Sequence, residues 1–251
     1  MSDIRIIAHR GASGYAPENT MASFAKAVEL GADEVELDVH QTADGRIVVI
    51  HDPVLNKTTN GHGRICRTDL AQLLKYDAGF WFDDSFKGEK VPLLEEILDF
   101  LKGKAKVIIE VKFGSRIYPG IEKNILDIIT DIRMTDDVTV SSSKVTVLKA
   151  IKNISDQIEL AKILTPRELW RPLFQTNSFI HRHSLFNRIT ELHPHWSFID
   201  PRFMKWAKSA NKKVIVWTVN KERRMRIAAG KGVDGIITNY PDKARLVISQ
   251  N

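Results

Sequence analysis

Hydrophobic and polar positions follow two rhythms along this chain. Short runs that are continuously apolar, or that alternate with period two, occur at residues 4–9, 34–39, 107–111, 138–141, 158–163, 189–193, 213–217 and 235–238, and read as strands. Between them, apolar positions recur at helical spacing in 20–30, 94–101, 121–132, 144–154, 202–210 and 222–229. Strand and helix signals alternate, which predicts a parallel sheet joined by crossover helices. Eight strands are the number that closes a (β/α)8 TIM barrel, with residues 47–50 as a short extra strand. The stretch from Thr165 to Arg188 has a mixed pattern and sets no boundaries. From about Pro53 to Pro92 the barrel rhythm breaks around the turn Asn60-Gly61-His62-Gly63. Residues 53–92, after the second strand region, are therefore expected to be an insertion packed over the barrel mouth. Its aromatics Tyr76, Phe80, Trp81, Phe82 and Phe86 are expected to form its own core rather than touch a ligand.

Composition narrows this picture. The 251 residues, 43% hydrophobic, suffice for one large core, so residues 1–251 are expected to be a single barrel domain containing the insertion. No apolar run approaches the roughly 20 residues of a membrane span, so no transmembrane segment is expected. Met1-Ser2-Asp3 leads straight into the first strand without a secretory apolar region, so the chain is expected to be soluble, unexported and cytoplasmic. Cys66 is the only cysteine, which excludes an intrachain disulfide. The formal charge of +6 includes the run Lys221-Glu222-Arg223-Arg224-Met225-Arg226, which reads as a solvated helix face. No aromatics punctuate it, so no nucleic-acid partner is expected, and the positive field suits anionic small substrates.

Candidate chemistry gathers at the strand ends. The first apolar run closes on His9-Arg10-Gly11, and the short extra strand on His51-Asp52-Pro53. Between them, Glu34, Glu36 and Asp38 alternate with apolar residues and so share one strand face. Bare carboxylates on a buried face are costly, so these acids need water, cationic partners or a metal ion. Glu110 and Lys112 repeat the theme on a third strand. Barrel enzymes place their chemistry at C-terminal strand ends, so these residues should converge as a metal-assisted phosphoryl site. Thiolate ligands are lacking, which points to a hard cation.

The same residues carry a resemblance. His9-Arg10-Gly11, Pro17-Glu18-Asn19-Thr20, Glu36-Leu37-Asp38-Val39 with Thr42 and Asp44-Gly45, His51-Asp52, Glu110-Val111-Lys112, Trp217-Thr218-Val219-Asn220 and Gly232-Val233-Asp234-Gly235-Ile236-Ile237-Thr238 stand in order over nearly the whole chain. In these blocks the sequence resembles the glycerophosphodiester phosphodiesterase family. The resemblance implies an inserted subdomain after the second histidine, and metal-dependent hydrolysis of small glycerophosphodiesters such as glycerophosphocholine or glycerophosphoethanolamine to sn-glycerol 3-phosphate and an alcohol. It also implies that Glu36, Asp38 and Glu110 bind Mg²⁺ or Ca²⁺, against the competing account of a salt-bridge cluster with Arg10 and Lys112.

His9 and His51 are the expected general acid and base, since imidazole titrates near neutrality, and their order is left open. The attacking group is likewise open between water and the glycerol 2-hydroxyl. Arg10 and Lys112 are expected to neutralise phosphate oxygens. Trp217 is expected to floor the glycerol pocket or to be a buried barrel aromatic. His193 is at most a supporting candidate. His181 and His183 are expected to be exposed, and no role is assigned to His40, His62 or His195.

Two other readings stay in play, a lysophospholipase D-type phosphodiesterase and a non-catalytic glycerol-phosphate-binding barrel. The chain departs from the family pattern in two places. Ser141-Ser142-Ser143 stands where relatives show Ser-Phe, so an apolar pocket wall is expected to be missing. Asn239 stands where Asp is common, a change expected to remove a charge at the mouth without touching the metal and histidine set.

Overall fold

The computed structural model of the chain describes residues 4–165 and 184–250. Nine strands lie in one sheet among these residues. They are β1 (Arg5–His9), β2 (Glu34–Gln41), β3 (Ile47–Val49), β4 (Lys106–Val111), β5 (Val138–Ser142), β6 (Glu159–Leu164), β7 (Ile189–Pro194), β8 (Lys213–Val216) and β9 (Gly235–Thr238). Their order is β1-β9-β8-β7-β6-β5-β4-β2-β3, and β1 also pairs with β2, so the eight parallel strands close into a barrel. β3 lies antiparallel on β2, with Val39 opposite Val49.

Period two decides which side chains enter the barrel. On β2, Val35, Leu37 and Val39 turn outward into the main core, while Glu34, Glu36 and Asp38 turn inward. The outward core is covered by helices that bury one stripe each, such as Leu94, Ile97, Leu98 and Leu101 of Leu94–Leu101. Inside the barrel, Ile7, Ile108, Ile215 and Ile237 form an apolar plug with Trp217 packed on it. Toward the N-terminal strand ends, Arg5 pairs with Glu34 at 2.7 Å and with Glu191 at 2.6 Å. Glu191 also accepts from His193 at 3.0 Å. Glu34 thus finds the cationic partner its buried position demands.

The strand and helix expectations hold within two residues at their ends. The helix Pro241–Ser249 is an addition: its buried Pro241, Ala244 and Val247 make a weak periodic signal. Within the mixed stretch, Ser184–Arg188 is helical, and His181 and His183 lie outside the described residues.

Residues 53–92 form short 3-10 turns and the helix Leu70–Leu73 beside β3. A second apolar cluster of Leu55, Ile65, Leu73, Ala78 and Val91 packs there on Val48, Ile50 and Leu93. This core is aliphatic, contrary to the aromatic one expected. Only Tyr76 of the five aromatics packs against it, while Phe80 and Trp81 are 42% and 39% exposed. Phe82 meets Trp81 and Phe86 edge to face, so these rings cover one another at the surface. No helix among the described residues is long and apolar enough to cross a membrane.

Candidate active site

A cavity of about 230 Å³ opens at the C-terminal ends of the strands. His9, Arg10, Glu36, His51, Glu110, Lys112 and Trp217 all line it, together with Ser141, Ile163, His193, Thr218 and Ile237. Asp38, fully buried, stands directly behind them: one oxygen each of Glu36, Asp38 and Glu110 lies within 4.8 Å of the others. The structure therefore gathers His9, Arg10, Glu36, Asp38, His51, Glu110, Lys112 and Trp217 into one place, while Glu34 pairs with Arg5 at the other end of β2.

The loop after β1 achieves part of this by its backbone. Arg10 and Gly11 both have positive φ, 56° and 79°, which turns the chain sharply. The turn lets the Arg10 amide donate to the backbone oxygen of Glu36 at 2.8 Å and to its carboxylate at 3.1 Å. A Cβ on Gly11 would sit 2.6 Å from the Ser23 carbonyl carbon, so only glycine lets the first helix approach this closely. Ser23 Oγ donates back to the Arg10 carbonyl at 2.9 Å. Asn19 then pairs twice with Asp38, its side-chain amide donating at 3.0 Å and its oxygen accepting the Asp38 amide at 3.3 Å.

Two cations face the three acids. Arg10 Nε lies 3.2 Å from Asp38, and Lys112 Nζ lies 2.9 Å from both Asp38 and Glu110. Although burial opposes it, Lys112 and Arg10 hold Asp38 well below the usual carboxylate range. Burial also opposes the charge on Lys112, yet Asp38 and Glu110 lift it to about 12. Glu36 and Glu110 go the other way. Burial pushes both up, and neighbouring carboxylates push further, bringing Glu110 to about 7. Two fixed cations thus leave the three acids short of positive charge. An all-oxygen set lacking positive charge suits a hard divalent cation, so Glu36, Asp38 and Glu110 fit such a group.

Each histidine is held by one ring nitrogen. His9 Nδ1 meets the Asn239 side-chain oxygen at 2.8 Å, and His51 Nδ1 lies 3.3 Å from Asp52. Both partners accept, so Nδ1 carries the proton and Nε2 stays available. Asn239 therefore does touch the histidine set, contrary to expectation, because β9 brings it beside β1 from 230 residues away. Burial, with Arg10 next, pushes His9 down to about 4, and burial lowers His51 too.

No role is assigned to His40 or Glu191 from sequence. His40 is buried behind His51: its Nε2 donates to the His51 carbonyl at 3.0 Å and its Nδ1 accepts from the Tyr118 hydroxyl at 2.6 Å. Glu191 anchors His193 under the cavity. Tyr118 is 78 residues from His40, so spacing along one strand could not reveal that pair, whereas Glu191 and His193 stand two apart on one face of β7. Trp217 both rests on the apolar plug and lines the cavity, its indole donating to the His193 carbonyl at 2.9 Å. Ser141 supplies a polar stretch of wall, while Ser143 is outside the lining.

Fold and cavity together place the chain among (β/α)8-barrel hydrolases of phosphoric diesters. The pattern of the Glycerophosphoryl diester phosphodiesterase family matches residues 9–243. A glycerophosphodiester phosphodiesterase of Caldanaerobacter subterraneus subsp. tengcongensis is 35% identical over 240 residues, covering 94% of each chain. Among solved structures, an Oleispira antarctica phosphodiesterase in complex with the product sn-glycerol-3-phosphate superposes with a TM-score of 0.81 at 29% identity, covering 98% of this chain and 96% of that one. A structure described as a putative glycerophosphoryl diester phosphodiesterase from Silicibacter pomeroyi shares the fold at 24% identity, with a TM-score of 0.87 over 99% and 94% of the chains. The chain belongs to the glycerophosphoryl diester phosphodiesterase family.

Proposed function

We propose that the chain hydrolyses small glycerophosphodiesters, glycerophosphocholine and glycerophosphoethanolamine among them, to sn-glycerol 3-phosphate and an alcohol. The observation that carries this reading is the meeting of three carboxylates, two histidines and two cations in one cavity. Glu36, Asp38 and Glu110 hold a divalent cation, Mg²⁺ or Ca²⁺, which supplies positive charge to the phosphoryl oxygens. Arg10 and Lys112 add their own charge to the same oxygens as it builds up in the transition state. One of His9 and His51 takes the proton of the attacking hydroxyl at Nε2, and the other gives a proton to the leaving oxygen. Asn239 and Asp52 accept from Nδ1 in either protonation state: the ring acting as base is neutral with Nε2 open, and the ring acting as acid is the imidazolium, whose Nε2 proton goes to the leaving oxygen. Trp217 offers the glycerol carbons an apolar face.

Release of glycerol 3-phosphate from glycerophosphocholine, followed in chelator, Mg²⁺ and Ca²⁺ in parallel, tests the reading. Release restored by a cation supports it, and no release under any cation refutes it. A lysophospholipase D-type activity is favoured by one observation, the exposed Leu74, Phe80 and Trp81 within residues 53–92. Turnover of a lysophospholipid that rises above its micellar concentration would select that reading.

A further inference from the structure

From the cavity, a row of rings runs outward along the loops that follow β7 and β8. Trp217 lines the cavity. The His195 ring lies 5.4 Å from it at 74°, and Trp196 lies 5.6 Å from His195 at 50°. The guanidinium carbon of Arg224 sits 4.3 Å over the Trp196 ring. The two loops are tied together, since the Trp196 amide donates to the Trp217 carbonyl at 3.0 Å and the Trp217 amide to Pro194 at 3.2 Å. The row therefore has fixed spacing.

The charge at its end is unbalanced. Among the described residues, no carboxylate pairs with the Arg224 side chain, while the neighbouring Glu222 is taken by Arg226 at 3.2 Å. A stacked guanidinium keeps its edge donors free for an oxyanion, and its positive charge repels a quaternary ammonium. His195 Nδ1 serves Ser197, hydrogen-bonded to its Oγ at 2.7 Å. The rings stand at steep angles to one another and Trp196 packs partly against the main core, so they offer the carbon skeleton of an alcohol a stepped apolar edge.

We propose that His195 and Trp196, ending on Arg224 and lying beyond the Trp217 ring that faces the glycerol, form the subsite for the leaving alcohol, and that it selects diesters whose alcohol carries a phosphate or carboxylate. This rests on the chain being a glycerophosphodiesterase, and it makes Arg224 a specificity residue rather than part of the reacting centre. A bond from the guanidinium to an oxyanion is charge-assisted, so its loss should cost about tenfold in affinity.

The test compares glycerophosphoglycerol with the same diester bearing a terminal phosphate, with the glycolate diester of glycerol phosphate for the carboxylate and glycerophosphocholine for the cation. Dissociation constants are measured by calorimetry in chelator, and kcat and KM with Mg²⁺ or Ca²⁺, for wild type, Arg224→Gln and Arg224→Lys. The expected result is that wild type binds a phosphate-tipped or carboxylate-bearing diester about tenfold more tightly than the neutral one. Arg224→Gln erases that ratio through KM, and Arg224→Lys restores part of it. Equal binding of all four diesters by wild type, or a preference that survives Arg224→Gln, overturns the inference. Because the binding ratio is read without turnover, absence of hydrolysis counts against the proposed function alone.

Discussion

Replacing Glu110 with glutamine separates a metal ligand from a salt-bridge partner by the sign of one stability change. Without a cation, burial and Asp38 hold the Glu110 carboxyl at about 7, above its ordinary 4.5. A carboxyl raised in the folded state favours the fold below its unfolded value, and that contribution is lost as pH rises through about 7. At about 1.4 kcal/mol for each tenfold change in protonation, the gap amounts to about 3 kcal/mol by pH 8. Glutamine has nearly the same shape and never pays this cost. In excess chelator, Glu110→Gln should melt with wild type at pH 5 and above it at pH 8, by roughly 6 to 12 °C for a chain of this size. Taking the difference between the two proteins at each pH cancels the titration of His9 and His51, which both share.

Saturating Mg²⁺ or Ca²⁺ should close most of that gap at pH 8. Wild type gains about 2.7 kcal/mol at a hundredfold excess over its Kd, and the variant, short of one ligand, gains less. The assay is a thermal melt by circular dichroism at both pH values. If Glu110→Gln instead melts below wild type in chelator at pH 8, Glu110 is the counter-ion of Lys112 and the metal reasoning fails.

Three other outcomes follow from the same geometry. His9→Ala and His51→Ala should each lower turnover by roughly 10² to 10⁴ with an unchanged melt, and near-normal rates in either would remove that ring from the mechanism. Gly11→Ala should cost about 1 to 3 kcal/mol and reduce turnover, since its φ is 79° and the methyl would strike the Ser23 backbone; an unchanged melt would mean that the first helix shifts freely. Although burial opposes it, His193 and Arg5 hold Glu191 down at about 2, so its stabilisation is present above the ordinary 4.5 and lost as pH falls toward 2. Glu191→Gln should therefore be about 3 kcal/mol less stable than wild type at pH 7, with the gap closing in acid, and a pH-independent gap in urea unfolding would contradict this.

Much of the architecture was legible along the chain because its causes are local. Period-two alternation on β2 set Val35, Leu37 and Val39 against Glu34, Glu36 and Asp38, and that alternation alone sends the acids to a single face. Helical spacing in 94–101 and 121–132 matches the observed helices residue for residue, since each buries one stripe on a neighbouring strand. The alternation of strands and helices, and the placing of His9 and Glu110 at strand ends, needed no knowledge of what lay across the barrel, whereas Glu36 and Asp38 lie level with them inside a strand that runs on to Gln41.

Only closure of the barrel decided the rest. It brings β9 beside β1 and so places Asn239 on His9, and it sets Arg5 between Glu34 and Glu191 from opposite sides. Asn19 on Asp38 arises from the return of the chain through the first helix, and His40 behind His51 from the antiparallel pairing of β2 with β3, neither of which hydrophobic periodicity announces. The aliphatic cluster beside residues 53–92 depended on which side chains could reach Val48 and Ile50, while the aromatics were left to cover one another. Local pattern fixes which face a residue occupies. The identity of its partner is set by long-range strand registry, and partners decide protonation, tautomer and the charge left over for a ligand.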